Sequence, residues 1–482
     1  MNCLKIFGAA VASISLLATT AIPAAGASPD FAFLDSCGIG EPAVVVGADN
    51  AAVDVGAVQS AVDNNDSVLL VGTFDFGDSG RVLLTRGVEI CGQADDWGVP
   101  LTTIRRGQWD FYTPYPSTMP PPIGHKVAIK HIHFVQSKGS AIHLAYSGGA
   151  SIRGNVIDQM RARQASSAVA ERAAIVVGPA ILGGPPNTQF VPRLVSGDIN
   201  VSDNTIDVSG SESTTATRQT GMFISMYVGA DVRVERNSVT GNTRTGLAIL
   251  DGDFDENHRG SVLIADNVIR SAVRNGFTQG AGPRAPIGIV TGFNNQRAFG
   301  SDPNRETIPV VIDYNTIELS DPAESGAATP PMGIVNIWNG AVITNNTITV
   351  HGHSASTTDR LSTSGGILAT TSHQVLKHNT VSGEGCNAIR VGGTNDGQER
   401  FGNVGIANNI THFQAFSGGV NKCADVWLEP ASHDNTMVGN NGSVIDDGVN
   451  NDVTGFGPVK GGVGDAVSQA VQYEGDLIVD FA

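Results

Sequence analysis

Four residues with ionisable side chains occupy the same position in successive copies of a sequence repeat. Asp203, Arg236, Asp266 and Tyr314 each stand directly before an asparagine. Two carboxylates flanking an arginine could cleave a glycosidic bond by acid–base chemistry. Alternatively, the arginine could neutralise a uronate carboxylate while the tyrosine moves a proton, as a polysaccharide lyase requires. The competing interpretation is an ion-pair column on a solvated sheet, which contributes little energy.

The repeat that carries this column is clearest at residues 262–269. It has an aliphatic residue three positions before an asparagine and, in all but one of the eight main copies, another two positions after it. A fixed period of mostly 30 to 33 residues indicates stacked repeats rather than an ordinary globular mixture. The asparagines are Asn155, Asn204, Asn237, Asn267, Asn315, Asn346, Asn379 and Asn409, with a weaker copy at Asn441.

Short runs within each repeat alternate with a period of two, which predicts strands. A second run lies between successive asparagines, for example at residues 246–250 and 288–291. No single strand buries its apolar face, but stacked coils share a continuous core. We therefore expect the asparagines to point inward and to bond each other and the turn carbonyls.

This pattern resembles the right-handed parallel β-helix proteins of the pectate-lyase-like superfamily, over roughly residues 50 to 445. The resemblance implies an all-β solenoid with a short helical cap at its N-terminus. It does not imply one activity, because this fold carries lyases, hydrolases, epimerases, adhesins and phage spikes. The arginine signature of pectate lyases is absent, since the segment from Arg284 lacks the second arginine.

In such a helix the four column residues stand on neighbouring coils. At about 4.8 Å per coil, Asp203 and Asp266 lie roughly 9–10 Å apart, near the upper limit for inverting glycosidases. Long turns in the middle coils are expected to form walls beside this column.

The chain divides into four predicted segments. Residues 1–27 have the features of a secretory signal, with Lys5 before an apolar run and small residues at a cleavage site. Residues 28–80 are predicted to form an N-terminal cap with a helix at 51–63, residues 81–445 the β-helix, and residues 446–482 a C-terminal tail or cap. We expect a secreted or periplasmic protein without a membrane span.

The net charge of −17 argues against nucleic acid and anionic membranes as partners. It leaves polysaccharide open, including an anionic one, because a cleft can be locally basic. One basic and aromatic stretch has residues that suit acidic sugars. Its candidates are Arg105, Arg106, Trp109, Tyr112, Lys130 and His133. The alternative is a loop packed over the first coils, with the aromatic side chains as anchors.

Asp251, Asp253 and Asp255 alternate along one turn, and their carboxylates could coordinate a calcium ion. The match to a calcium loop is incomplete because Glu256 replaces the glycine that such a loop requires. No other cofactor is predicted.

Cysteines 37, 91, 386 and 423 remain after removal of the predicted signal. Cys386 and Cys423 precede matching strands on adjacent coils, where a spacing of about 4.8 Å allows a disulfide. We predict this pair and, by elimination, Cys37–Cys91. Four reduced cysteines are the alternative.

These observations lead to a secreted protein that acts on polysaccharide as a lyase or a glycoside hydrolase. A non-catalytic exported adhesin or glycan-binding β-helix is the alternative. An enzyme would place titratable groups together in a groove, whereas an adhesin would present a flat, repetitive polar face.

Overall fold

The computed structural model describes most of the chain between residues 41 and 454, and every structural statement below concerns these residues. The described ranges are 41–114, 125–145, 147–161, 173–178, 197–208, 219–225, 231–241, 243–251, 260–272, 287–293, 309–320, 331–338, 340–352, 365–392, 401–402, 404–415, 423–430 and 432–454.

Three long parallel sheets, named A, B and C, make up the described fold. Sheet A contains Ala43–Val46, Ser67–Val71, Val88–Gly92, Lys126–Lys130, Gly149–Arg153, Ile199–Ser202, Val232–Glu235, Val262–Ala265, Val310–Asp313, Val342–Thr344, Val375–Lys377, Gly405–Ala407 and Thr436–Val438. Sheet B contains Thr73–Asp75, Thr102–Arg105, Ile132–Val135, Val156–Asp158, Thr205–Asp207, Ser238–Gly241, Val268–Ala272, Thr316–Ser320, Thr347–His351, Thr380–Gly385 and Ile410–Ala415. Sheet C contains Val82–Leu83, Phe111–Thr113, Ile142–Leu144, Ala173–Val177, Gln219–Ser225, Thr243–Asp251, Ile287–Phe293, Met332–Asn336, Gly365–Ala369, Asn387–Val391, Ala424–Leu428 and Val444–Asp446. Phe401–Gly402 and Ser432–His433 form a separate pair.

From Ser67–Val71 to Ala424–Leu428, each coil contributes one strand to sheet A, one to sheet B and one to sheet C, in that chain order. The register aligns equivalent residues, so that Ile264 pairs with Val234 on one side and Ile312 on the other. These three side chains are fully buried in the continuous core. The protein is a right-handed parallel β-helix, and the predicted fold class is confirmed.

The helix Ala51–Asn64 lies against the first coil and buries Val58 and Val62. Its buried Asp54 accepts three backbone N–H groups, one of them from Asp75 in sheet B. Asn50 caps the helix by accepting from the Ala52 N–H, and Asp54 ties the first helical turn to the preceding chain and to the sheet. Among the described residues, no helix is long and apolar enough to cross a membrane.

The asparagines form an inward hydrogen-bonded ladder where sheet A turns into sheet B. Asn267 donates through Nδ2 to Asn315 Oδ1 at 2.9 Å and to Val234 O at 2.8 Å. Its Oδ1 accepts from the backbone N–H of Asn237 at 3.0 Å. The same bonds link the coils from Asn155 to Asn409, so the predicted ladder is confirmed.

The ladder continues to Asn440, and the predicted weak copy at Asn441 is wrong by one residue. Ala407 pairs with Val438, so the register places Asn440 beside Asn409. Asn441 accepts instead from the backbone N–H of Thr411.

The disulfide Cys386–Cys423 is confirmed, with a Cα–Cα distance of 4.5 Å. The strands that follow the two cysteines are in register on adjacent coils. Cys91 is also disulfide-bonded, but Cys37 lies outside the described residues, and the pair Cys37–Cys91 stays a prediction.

Pairing between coils extends beyond residue 445, where the sequence predicted its end. Asp452 forms a parallel bridge with Thr436, and Val449 does so with His433. Asn451 accepts from the backbone and side chain of Asn435, which repeats the ladder bond on a smaller scale. The predicted signal at 1–27 and the residues after 454 lie outside the described part.

Candidate functional site

The residues directly before the ladder asparagines form an outward row along the corner between sheets A and B. Their φ angles all lie between 50° and 65°, in the left-handed region. We call this set the corner row and add to it His131, which holds the equivalent position before Ile132; its members are His131, Gly154, Asp203, Arg236, Asp266, Tyr314, Asn345, His378, Asn408 and Gly439.

This backbone conformation follows from the ladder. The chain must bend sharply within two residues so that the asparagine points inward while the preceding residue points outward. Glycine, asparagine and aspartate tolerate the left-handed region, whereas other residues lose about 1–2 kcal/mol there. Arg236 and Tyr314 occupy it nevertheless, and both side chains are exposed, Tyr314 by 60%.

Asp203 is held between two arginines of neighbouring coils. Arg236 donates to it from Nε at 2.7 Å and from Nη2 at 3.1 Å, and Arg153 donates from Nε at 3.1 Å. Partial burial acts to raise the pKa of Asp203, but the hydrogen bonds and charges of the arginines outweigh it and hold this pKa below its usual range. Asp203 is therefore a fixed carboxylate at neutral pH.

The next two coils present exposed side chains. Asp266 follows Arg236 along the row, and Tyr314 follows Asp266. Beside them, Asp313 accepts from Thr344 Oγ1 at 2.7 Å and from Asn345 Nδ2 at 2.8 Å. The structure thus places Asp203, Arg236, Asp266 and Tyr314 on consecutive coils.

The long connections of the middle coils neither begin nor end at this corner, and the expected walls beside the row stay a prediction. Between the described strands, these connections join sheet B to sheet C or sheet C to sheet A, whereas the ladder corner is short in every coil from residue 131 onward. A long insertion there would separate the asparagine from the coil before it. The outer face of sheet C between these connections carries buried apolar side chains, such as Val176, Phe223 and Leu368.

The four basic side chains predicted to bind an acidic sugar each contact a carboxylate. The pairs are Arg105–Asp49, Arg106–Asp75, Lys130–Glu89 at 2.7 Å and His133–Asp158 at 2.9 Å. They are not gathered in one place, because Lys130 belongs to sheet A while Arg105 and His133 belong to sheet B.

The aromatic members of the same stretch lie at sheet C. Trp109 stacks on Tyr112 with ring centroids 5.2 Å apart, and both rings contact His143. The guanidinium of Arg81 lies 5.2 Å from the Trp109 ring centroid. This packing matches the alternative interpretation of an anchored loop. The structure thus does not bring the six predicted sugar-binding residues together.

The predicted calcium loop is only partly described. Asp251 ends a strand of sheet C, whereas Asp253 and Asp255 lie outside the described residues. Within the described ranges, no three His, Cys, Asp or Glu side chains are placed to hold a metal ion. Calcium binding stays a prediction.

Sequence reasoning missed Trp97, which is 88% exposed at the turn between sheets A and B one coil before His131. The signal for it was available, since the segment from Asp95 to Leu101 interrupts the repeat with an aspartate pair, a glycine and a proline around a tryptophan.

No protein-family model and no curated protein matches this chain significantly in sequence. Solved structures with a similar chain path include the A-module of mannuronan C-5 epimerase AlgE6 from Azotobacter vinelandii (12% identity, 83% of this chain and 94% of that one, TM-score 0.34). A mannuronic acid specific polysaccharide family 6 lyase from human gut microbiota has 13% identity over 86% and 84% of the two chains, with a TM-score of 0.39. The surface adhesin PfbA of Streptococcus pneumoniae has 11% identity over 84% and 91%, with a TM-score of 0.37. Similarities at this level carry no argument about activity, which has to come from the residues of this chain.

Proposed function

We propose that this protein is exported and binds polysaccharide, and that the corner row from Asp203 to Tyr314 contacts the sugar chain. This section offers an aromatic ring that can stack on a sugar face and charged groups that can bond to hydroxyls. The ladder beneath holds them at intervals of about 4.8 Å, so the surface is preorganised for an extended ligand.

The observation that carries the proposal is the left-handed backbone of Arg236 and Tyr314. Asparagine or glycine at these positions would remove about 1–2 kcal/mol of strain from each. Both large side chains are exposed, so burial does not compensate for the strain. Strained residues of this kind concentrate at functional sites.

Export is supported by two features of the chain. Residues 1–27 have the composition of a secretory signal. The disulfide Cys386–Cys423 suits an oxidising compartment, such as the periplasm or the exterior. The polysaccharide can be neutral or anionic, because the charges of Arg153, Asp203, Arg236 and Asp266 alternate in sign.

If the corner row is catalytic, its residues suit a lyase better than a hydrolase. Both carboxylate oxygens of Asp203 accept from Arg236 and Arg153, so this group is poorly placed to act as the acid or the base of a hydrolase. Arg236 and Tyr314 remain suited to neutralising a uronate and moving a proton. The row is nevertheless exposed, and a site that does not exclude water strengthens charge interactions little. Exposure therefore supports binding more than bond cleavage.

The substitution Tyr314→Asn is expected to weaken polysaccharide binding about tenfold, because a sugar-stacking ring is lost. The same change should raise the free energy of unfolding by about 1 kcal/mol, because asparagine tolerates the left-handed backbone. Affinity electrophoresis against neutral and uronate polymers measures binding, and chemical denaturation measures stability.

His378→Asn is the matched control, since it relieves the same backbone conformation outside the proposed section. It should leave binding unchanged. If Tyr314→Asn binds as tightly as the wild type, the row is not the contact surface. Retention by none of the polymers would refute the proposed function itself.

Cleavage is tested on the retained polymers by following reducing ends and the absorbance of unsaturated uronates. If the protein is a lyase, Arg236→Ala and Tyr314→Phe should each lower turnover at least about a hundredfold, because the first loses the charge that neutralises the uronate and the second loses the hydroxyl that moves the proton. Retention without either product would exclude catalysis and leave the binding proposal intact.

A further inference from the structure

A hairpin replaces the tight ladder turn in the coil before His131. It spans residues 93–101, between strands Val88–Gly92 of sheet A and Thr102–Arg105 of sheet B. Ala94 and Pro100 form an antiparallel bridge, and the N–H of Asp95 donates to Val99 O at 3.0 Å. The hairpin thus extends the same corner that carries the corner row.

The tip of this hairpin is fixed by its own hydrogen bonds. Asp95 Oδ1 accepts from the backbone N–H of Trp97 at 2.9 Å and of Val99 at 2.8 Å. Gly98 donates to Asp95 O at 3.0 Å, and its own carbonyl lies 3.2 Å from Nδ1 of His131, the first residue of the corner row. The indole is therefore presented by an ordered turn rather than by a loose loop.

Trp97 leaves 88% of its surface in water, and Val99 and Leu101 are also more than half exposed. Burial of apolar surface would stabilise the protein by roughly 25 cal/mol per Å², and the exposed Trp97 ring lacks this stabilisation. A built turn that holds a large apolar ring outward indicates a contact surface. Tryptophan is also the side chain with the largest ring face available for stacking.

We propose that Trp97 is a second aromatic contact of the polysaccharide site, and that a bound chain runs along the helix axis between Tyr314 and Trp97. This inference rests on the proposed function. The two residues are separated by six coil steps, which corresponds to roughly 29 Å at about 4.8 Å per step. Between them lie polar side chains of both charges, including Arg153, Asp203 and Asp266, which suit a hydroxyl-rich chain.

Two contacts this far apart predict a dependence on chain length. An oligosaccharide too short to reach both rings contacts only one of them. A longer chain that is bound at one ring is held near the other, so its effective concentration at the second ring is high. Affinity should therefore rise steeply once the oligomer spans the distance between the rings. The rise should disappear when either ring is removed.

The experiment uses size-fractionated oligomers of polygalacturonate and of a soluble cellulose derivative with the full-length protein. We expect Trp97→Ala to weaken binding of long chains about tenfold and to abolish the rise with length, while Trp97→Phe retains most of both. Short oligomers, which reach only one ring, should lose no more than about twofold in Trp97→Ala, because the Tyr314 contact remains. Retained circular dichroism and melting temperature identify variants that are folded.

Tryptophan fluorescence gives an independent readout. Trp338 and Trp427 are buried and Trp109 is half-buried against Tyr112, so acrylamide quenches Trp97 preferentially. Long oligomers should protect the wild type from quenching and should not change quenching of Trp97→Ala.

Equal binding of long chains by Trp97→Ala and the wild type, without protection from quenching, would overturn this inference and leave the proposed function standing. Failure of the wild type to bind any of these polymers would instead overturn the proposed function, and this inference with it.

Discussion

Replacing Asn267 by leucine is expected to lower the free energy of unfolding by about 3 kcal/mol. The side chain joins two neighbouring coils, since its Oδ1 accepts from the Asn237 N–H and its Nδ2 donates to Val234 O. Leucine satisfies neither group, and both are buried in the corner. Each unsatisfied buried group costs about 1–3 kcal/mol. Chemical denaturation of the purified variant measures the loss.

The control for this prediction is Asn64→Leu. Asn64 is exposed at the end of the helix, and its side chain donates to the carbonyl of Ser60 within the same helix. Its replacement should change stability by less than about 0.5 kcal/mol. Equal stability of the two variants would show that the ladder bonds contribute nothing beyond an ordinary surface asparagine.

The second large effect is expected for Gly288→Ala, which should destabilise the protein by about 2–3 kcal/mol. Gly288 belongs to a column of glycines in sheet C that faces the aliphatic residues of sheet B. A Cβ atom there would lie 2.5 Å from the carbonyl oxygen of Gly333 and 2.6 Å from Cγ2 of Ile317. Both distances are too short, and the first involves backbone, so the coils would have to move apart.

Gly405→Ala is the matched control, because Gly405 is also a strand glycine, but a Cβ atom added to it would have no neighbouring atom within 4 Å. Alanine there should stabilise the protein by about 0.4–1 kcal/mol, since it restricts the unfolded chain without a clash. Opposite signs for the two variants support the close approach of sheets B and C. A neutral Gly288→Ala would contradict it.

The coil architecture was predictable because every repeat has the same local sequence pattern. Alternation with a period of two defines the strands, and the asparagine marks the turn in every copy, as at Asn267. The disulfide Cys386–Cys423 followed from the same rule, since stacking brings equivalent positions of adjacent coils together. The one ladder error, Asn441 for Asn440, occurred where the pattern weakens and only the strand register identifies the partner.

The candidate site was predictable only as a column of neighbouring residues. The period predicted that Asp203, Arg236, Asp266 and Tyr314 would stand on consecutive coils, and the structure shows this arrangement. It could not show that Asp203 is held between two arginines, because that depends on side-chain reach across coils. The residues predicted to bind sugar between Arg105 and His133 do not form one cluster for a related reason. Residues that are close in sequence there belong to different sheets.

The sequence by itself determined the repeat, the strands, the inward asparagines and one disulfide, because these depend on local pattern and on a constant step between coils. Tertiary structure decided which corner stays short, that its outward residues adopt a left-handed backbone, and that Trp97 extends this corner. The physical reason is that backbone strain and exposure arise from how one coil rests on the next. That relation depends on register and on insertions elsewhere in the chain, and neither is visible in any single repeat.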